Sequence, residues 1–171
     1  VAANKALMNF MVNELSSYYC DFTKDILYCE EKDNPRRRQV QSVYWVCADK
    51  LVKLWAPFLV FTCEEVWAHF NDDAEKSVHN TEFPAVEEYP NAEEVKANAK
   101  KMLDVRSTVL KALEDARNEK MIKSNQEASI QLGVPEDVQA LFSSKLDSAL
   151  SQWLIVSNTE VSTSEEVTVK V

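Results

Sequence analysis

Arg36, Arg37 and Arg38 stand in a row directly after Asn34-Pro35. Guanidinium groups at a helix start suit a phosphate backbone, because the first N–H groups of a helix also favour anions. Salt bridges to Glu30, Glu31 and Asp33 are the purely structural alternative. Arg117, Lys120 and Lys123 form a second basic cluster. They suit RNA phosphates too, or simply the dipole at a helix C-terminus. Arg106 interrupts an apolar stripe and reads as a paired arginine whose stem lies along apolar surface. His69 and His79 are the only histidines. Cys63 and His69 are six residues apart, so they do not share a helix face, and packing or hydrogen bonding explains both histidines more simply than a metal or a triad. Glu64-Glu65 could act as an acid/base pair, but the first turn of a helix accounts for them without catalysis. Tyr18, Tyr19, Trp45, Trp55 and Trp67 could stack on bases, although helical spacing assigns most of them to a core.

These groups need elements to hold them. Leu7, Met11, Leu15, Tyr18, Phe22 and Ile26 keep helical spacing and predict a first helix over about 3–30. Asn34 as cap and Pro35 at the first position open a second helix. It runs to about Trp55 with Val40, Tyr44, Cys47, Leu51 and Leu54 on one face, and Pro57 ends it. Thr62 and Glu65 read as a T-x-x-E capping box that opens a third helix, ending near Phe70. Residues 71–91 are acidic, contain Pro84 and Pro90, and read as a long loop. Asn91, followed by Glu93 and Glu94, starts a fourth helix to about Met121, striped by Ala99, Leu103, Leu110 and Leu113. Together the helices predict a mainly α protein, an antiparallel helical bundle over residues 1–125.

After Ser124 the period changes. Ala128 to Val134 alternates as a strand does, and Pro135-Glu136-Asp137 opens a helix carrying Val138, Leu141, Phe142, Leu146 and Leu150. Trp153 to Val156 reads as a second strand, and Val167, Val169 and Val171 as a third. Residues 126–171 are therefore expected to form a small α+β unit of order β-α-β-β.

Composition excludes several functions. The chain of 171 residues has one glycine, Gly133, which rules out a glycine-rich phosphate loop or a dinucleotide fingerprint. Its net charge of −9 argues mildly against a free-standing nucleic-acid binder. The acid is concentrated elsewhere, however: residues 101–126 carry 6 basic and 4 acidic groups. Cys20, Cys29, Cys47 and Cys63 include no CxxC pair, so a structural zinc site is not expected. No signal peptide or long apolar run is present, which implies a soluble, cytoplasmic setting. A start at Val1 that enters helix at once suggests a piece of a longer protein.

The residues also carry a family resemblance. Asn13-Glu14-Leu15-Ser16, Tyr19, Asp21, Lys24-Asp25 and Leu27-Tyr28 resemble the first bundle helix of bacterial-type isoleucyl-tRNA synthetases. Arg36-Arg37-Arg38 through Ala56-Pro57 to Thr62-x-Glu64-Glu65-Val66-Trp67 looks like the next two. That last piece is shared with valyl and leucyl relatives. Ser77-Val78-His79 followed by Phe83-Pro84, and the run from Arg106 and Val109 through Lys111-Ala112-Leu113-Glu114, Ala116-Arg117, Lys120 and Ile122 to Glu127-Ala128, favour the isoleucyl family. The likeness covers residues 1 to about 135. In one departure, the family often has glycine where this chain has Lys123. Lys120-Met121-Ile122-Lys123-Ser124 also resembles the KMSKS loop with which class I synthetases hold ATP phosphates, but no H-x-G-H partner motif is present, and the run ends a bundle helix.

The resemblance implies a region that holds the anticodon arm of tRNA(Ile) while catalysis and editing take place in other domains of the same chain. It implies no catalytic residue, cofactor or metal in this region. ATP belongs to the parent enzyme, as does zinc at a site beyond residue 171. Arg36, Arg37, Arg38, Arg117, Lys120 and Lys123 are the RNA-contact candidates. A monomer and no membrane contact are expected. The competing readings are a helical protein–protein scaffold and the same domain of a valyl-tRNA synthetase.

Overall fold

The computed structural model describes residues 2–70, 77–146 and 149–171. The first six residues of the acidic loop, 71–76, therefore lie outside the described residues. The chain divides into two compact units, Val1–Glu87 and Glu88–Val171.

The first unit opens with one continuous helical stretch, as the apolar spacing predicts, but its winding changes along the way. Helix α1 (Ala2–Asn9) passes into a π-helical segment (Phe10–Cys20) and then into helix α2 (Asp21–Cys29). The wider i→i+5 winding is rare. Helix α3 (Pro35–Trp55) begins where the sequence signals it: Asn34 Oδ1 accepts from Arg36 N at 2.8 Å and from Arg37 N at 3.4 Å. Thr23 Oγ1 and Tyr44 Oη lie 3.1 Å apart and join α2 to α3.

Helix α4 spans Val60–Phe70. It starts two residues before Thr62, so the expected capping box does not form. The carbonyl of Trp55 accepts both Phe58 N and Leu59 N, and Cys63 N then bonds back to Leu59. The reversal after Pro57 is thus tight enough that helix resumes before Thr62 can cap it. Val52, Trp55, Ala56, Cys63, Trp67 and Val78 form the core here, with Leu7 and Leu51 packed against it.

The second unit contains helix α5 (Ala92–Asn118), strand β1 (Ser129–Val134), helices α6 (Glu136–Lys145) and α7 (Leu150–Leu154), and strands β2 (Asn158–Thr163) and β3 (Thr168–Lys170). The sheet order is β2-β1-β3, with β2 parallel and β3 antiparallel to β1. Helix α5, assigned to the bundle from its sequence, packs on α6, α7 and β3. Val105, Val109, Leu113 and Ala116 form its buried face, and Ile130, Leu132 and Val134 of the central strand are buried in the same unit.

The expected strand at Trp153 to Val156 is not formed. Leu150, Trp153 and Leu154 are buried at i, i+3 and i+4, which is one face of a helix. A short apolar run fits either period, and the helical one wins here because Phe142 packs on Trp153, ring centres 6.1 Å apart. The true second strand lies further on, at Asn158–Thr163. Residues 126–171 are therefore ordered β-α-α-β-β.

Gly133 sits in the central strand, where an added Cβ would collide with Thr168 Oγ1 and press on Ser164 Cβ. The residues at positive φ, among those described, are Asn91 at 61°, Lys120 at 62° and Ile155 at 59°. Among the described residues, no helix is long and apolar enough to cross a membrane.

Candidate nucleic-acid interface

The arginine row belongs to the first unit, and the structure gives its members different work. Arg37 is half-buried, and its Nε donates to the carbonyl of Leu27 at 2.9 Å. That bond satisfies a carbonyl in the last turn of α2 and fixes the α2–α3 corner. Arg38 pairs with Asp33 at 3.2 Å and donates to Gln41 Oε1 at 3.2 Å. The pair is exposed, and a pair of this kind contributes about 1 kcal/mol or less. A phosphate could displace it. The Arg36 side chain makes no hydrogen bond or ion pair among the described residues. Asn34, the cap, also donates to Glu30 Oε2 at 2.8 Å, so the acids near this corner partly serve the turn itself.

The second cluster sits at the end of α5, in the second unit. Met121 N bonds to the Ala116 carbonyl at 2.9 Å, and Lys120 N bonds to the Arg117 carbonyl at 3.0 Å. This nested pair of bonds closes the helix around a left-handed residue. Glycine usually takes that position, but here Lys120 does, with φ 62°. The reversal turns the chain away from the helix axis toward Lys123, whose N donates to Glu127 Oε2 at 3.1 Å. Arg117, Lys120 and Lys123 are exposed, and their side chains have no acidic partner among the described residues. Arg117 lies in the last turn of the helix, Lys120 in the reversal and Lys123 just after it, and all three are exposed. Such a group can neutralise phosphates at little desolvation cost. The run Lys120–Ser124 leads into β1 of a small mixed sheet, so it is a helix-to-strand connection.

Arg106 is 5% exposed. Its Nε donates to the Trp153 carbonyl at 3.3 Å, and its guanidinium lies 5.8 Å from the centre of the Trp153 ring. It pins α5 to α7 from inside. Trp55 and Trp67 are buried, whereas Trp45 is 59% and Tyr28 86% exposed.

One arrangement was not legible in the sequence. Glu64 Oε2 accepts from Ser77 Oγ at 2.9 Å and from Val78 N at 3.1 Å. Ser77 Oγ accepts from His79 N at 3.2 Å, and His79 Nε2 stands 3.2 Å from the Val60 carbonyl. Glu64 is thus an anchor for the Ser77-Val78-His79 loop rather than merely a first-turn acid. Thirteen residues separate Glu64 from Ser77, too many for local spacing to reveal the pair. Among the described residues, no cluster of His, Cys, Asp and Glu could hold a metal ion.

Comparison with known proteins follows the same residues. The family model for the anticodon-binding domain of tRNA ligase matches residues 2–132. Isoleucine–tRNA ligase of Bacillus licheniformis is 42% identical over 160 residues, covering 94% of this chain and 17% of that protein. The ligases of the same name from Lactococcus lactis subsp. lactis and Bacillus subtilis are each 40% identical, over 90% and 94% of this chain and 16% and 17% of theirs. The chain thus spans about a sixth of the length of these relatives. Because the match runs from α1 into β1 and includes both basic clusters, this chain belongs to the anticodon-binding domain family of tRNA ligases.

Proposed function

We propose that the chain is the anticodon-arm-binding region of an isoleucine–tRNA ligase, acting on tRNA(Ile). The observation that carries the reading is the unpaired trio Arg117, Lys120 and Lys123, within the segment shared with the family. Cations held on an ordered turn fix the position of RNA through its phosphates, and the identity of the bases is read by other groups. Arg36, with Arg38 once released from Asp33, is a second candidate contact, within the first unit. Arg37 supports that corner. The functional division we propose puts RNA contact in residues 1–125 and a supporting α+β unit in 126–171.

This region performs no chemistry of its own in this reading. The parent ligase activates isoleucine with ATP in domains outside this chain, carries its zinc beyond residue 171, and works as a cytoplasmic monomer. The region holds the anticodon arm while the acceptor end reaches the catalytic domain.

The test uses the parent ligase. Arg117→Ala, Lys120→Ala and Lys123→Ala together are expected to raise the KM for tRNA(Ile) at least tenfold, by an order-of-magnitude estimate from the loss of several phosphate contacts. They should also flatten the salt dependence by roughly 0.7–0.9 in log–log slope per contact. Isoleucine-dependent ATP–pyrophosphate exchange should not change. An unaltered KM for tRNA refutes the contact role. A wild-type enzyme that charges a valine tRNA instead identifies the valyl relative.

A further inference from the structure

The first unit carries an open groove of about 570 Å³ between α1, the π-helical segment, α3 and α4. Met8, Met11, Leu51, Trp55, Leu59 and Val66 are on its walls, and no charged side chain lines it. Its floor is the core itself, because Val52, Trp55 and Cys63 belong to both. Trp55 Nε1 donates to Met11 Sδ at 3.0 Å, so the polar atom of the indole is already satisfied, and Asn4 is the one polar amide in an otherwise apolar lining. Met8, Leu59 and Val66 remain 44–48% exposed. Phe10 and Val12 of the π-helical segment, beside the wall residue Met11, are exposed as well.

The chemistry of the wall selects the occupant. RNA is excluded, since phosphate needs cations and the wall has none. Exchanging protein partners use interfaces about as polar as ordinary surface, whereas permanent ones resemble a core cut in half. An open core with a charge-free wall is of the permanent kind. The relatives are about six times as long as this chain, so most of such a ligase lies outside it. We infer that this groove is the seat of an apolar surface from the rest of the same ligase polypeptide, outside residues 1–171. The inference rests on the reading of the chain as part of an isoleucine–tRNA ligase.

Hydrogen–deuterium exchange tests it, on the whole ligase and on the 171-residue chain at several concentrations. Segments 4–12 and 51–66 are expected to exchange about tenfold or more slowly in the whole ligase than in the chain alone. Leu59→Asp and Met8→Asp should abolish that difference in the whole ligase. They should shift the Tm of the chain alone only slightly, because about half of each side chain is already exposed there. Equal exchange in ligase and chain overturns the proposal. So does protection that appears in the chain alone and grows with its concentration, since that makes a second copy the occupant. Isoleucine charging by the same wild-type ligase sample reports separately on the functional reading.

Discussion

The guanidinium of Arg106 grips Trp153 twice, stacking 5.8 Å from the ring centre and donating to the carbonyl of the same residue at 3.3 Å. A single side chain therefore ties the middle of α5 to both the side chain and the backbone of α7. Removing it takes away a hydrogen bond to that carbonyl and a cation over the ring together. Arg106→Ala is expected to lower stability by about 2–3 kcal/mol. Arg106→Lys should recover less than half, because an ammonium has no planar face to stack. Urea midpoints at constant m-value measure both. An alanine variant as stable as the parent chain would remove the pin from the account.

Gly133 and Thr168 face each other across β1 and β3. A methyl at position 133 has no room, so Gly133→Ala should cost about 1–3 kcal/mol through forced displacement of β3. Thr168→Ala removes the oxygen that the methyl strikes. The alanine should then cost less, though not nothing, since Ser164 also crowds the site. Strict additivity of the two substitutions would show that another constraint fixes position 133.

Tyr44 supplies a pH dependence. Burial, followed by its hydrogen bond with Cys20, holds the phenol protonated and pushes its pKa up to about 12, against the opposing effect of Thr23. In the unfolded chain it ionises near 10. The folded state therefore binds this proton more tightly. The contribution is complete below about pH 10 and disappears as pH climbs through 12. Stability should fall across that window, and Tyr44→Phe should flatten the fall. Absorbance at the tyrosinate band should lose part of its latest-titrating amplitude in the same variant.

Lys120 takes a left-handed position that glycine adopts without strain. Lys120→Gly should raise stability by about 0.5–1 kcal/mol while removing one of the three cations from the α5 turn. Thermal unfolding and RNA titration on one sample separate the two effects. A lowered Tm would show that the lysine stem makes packing contacts that outweigh its backbone strain.

Helix boundaries were readable wherever the signal was local. Asn34-Pro35 marks the start of α3 because cap and proline act within one turn. Pro57 marks its end for the same reason. Thr62 misled because the cap signal depends on where the preceding reversal delivers the chain, and the Trp55 carbonyl delivers it two residues early. Trp153 to Val156 misled because four apolar residues fit both periods, and only packing against Phe142 decides between them. At the candidate interface, residue type revealed all six cations. It could not show that the Leu27 carbonyl takes Arg37 or that Asp33 takes Arg38, since those depend on how α2 and α3 meet. The Glu64–Ser77 anchor was invisible for the same reason.

The one glycine of the chain is used inside a sheet, so its corners are turned by residues with side chains. Asn91, Lys120 and Ile155 each hold a backbone shape that their Cβ atoms resist, and the branched Ile155 resists it most. This gives the domain an uneven mutational landscape. Its corners retain easy gains. A population selected for heat tolerance would therefore change at these three bends first, and the apolar stripes would be the last part of the sequence to move.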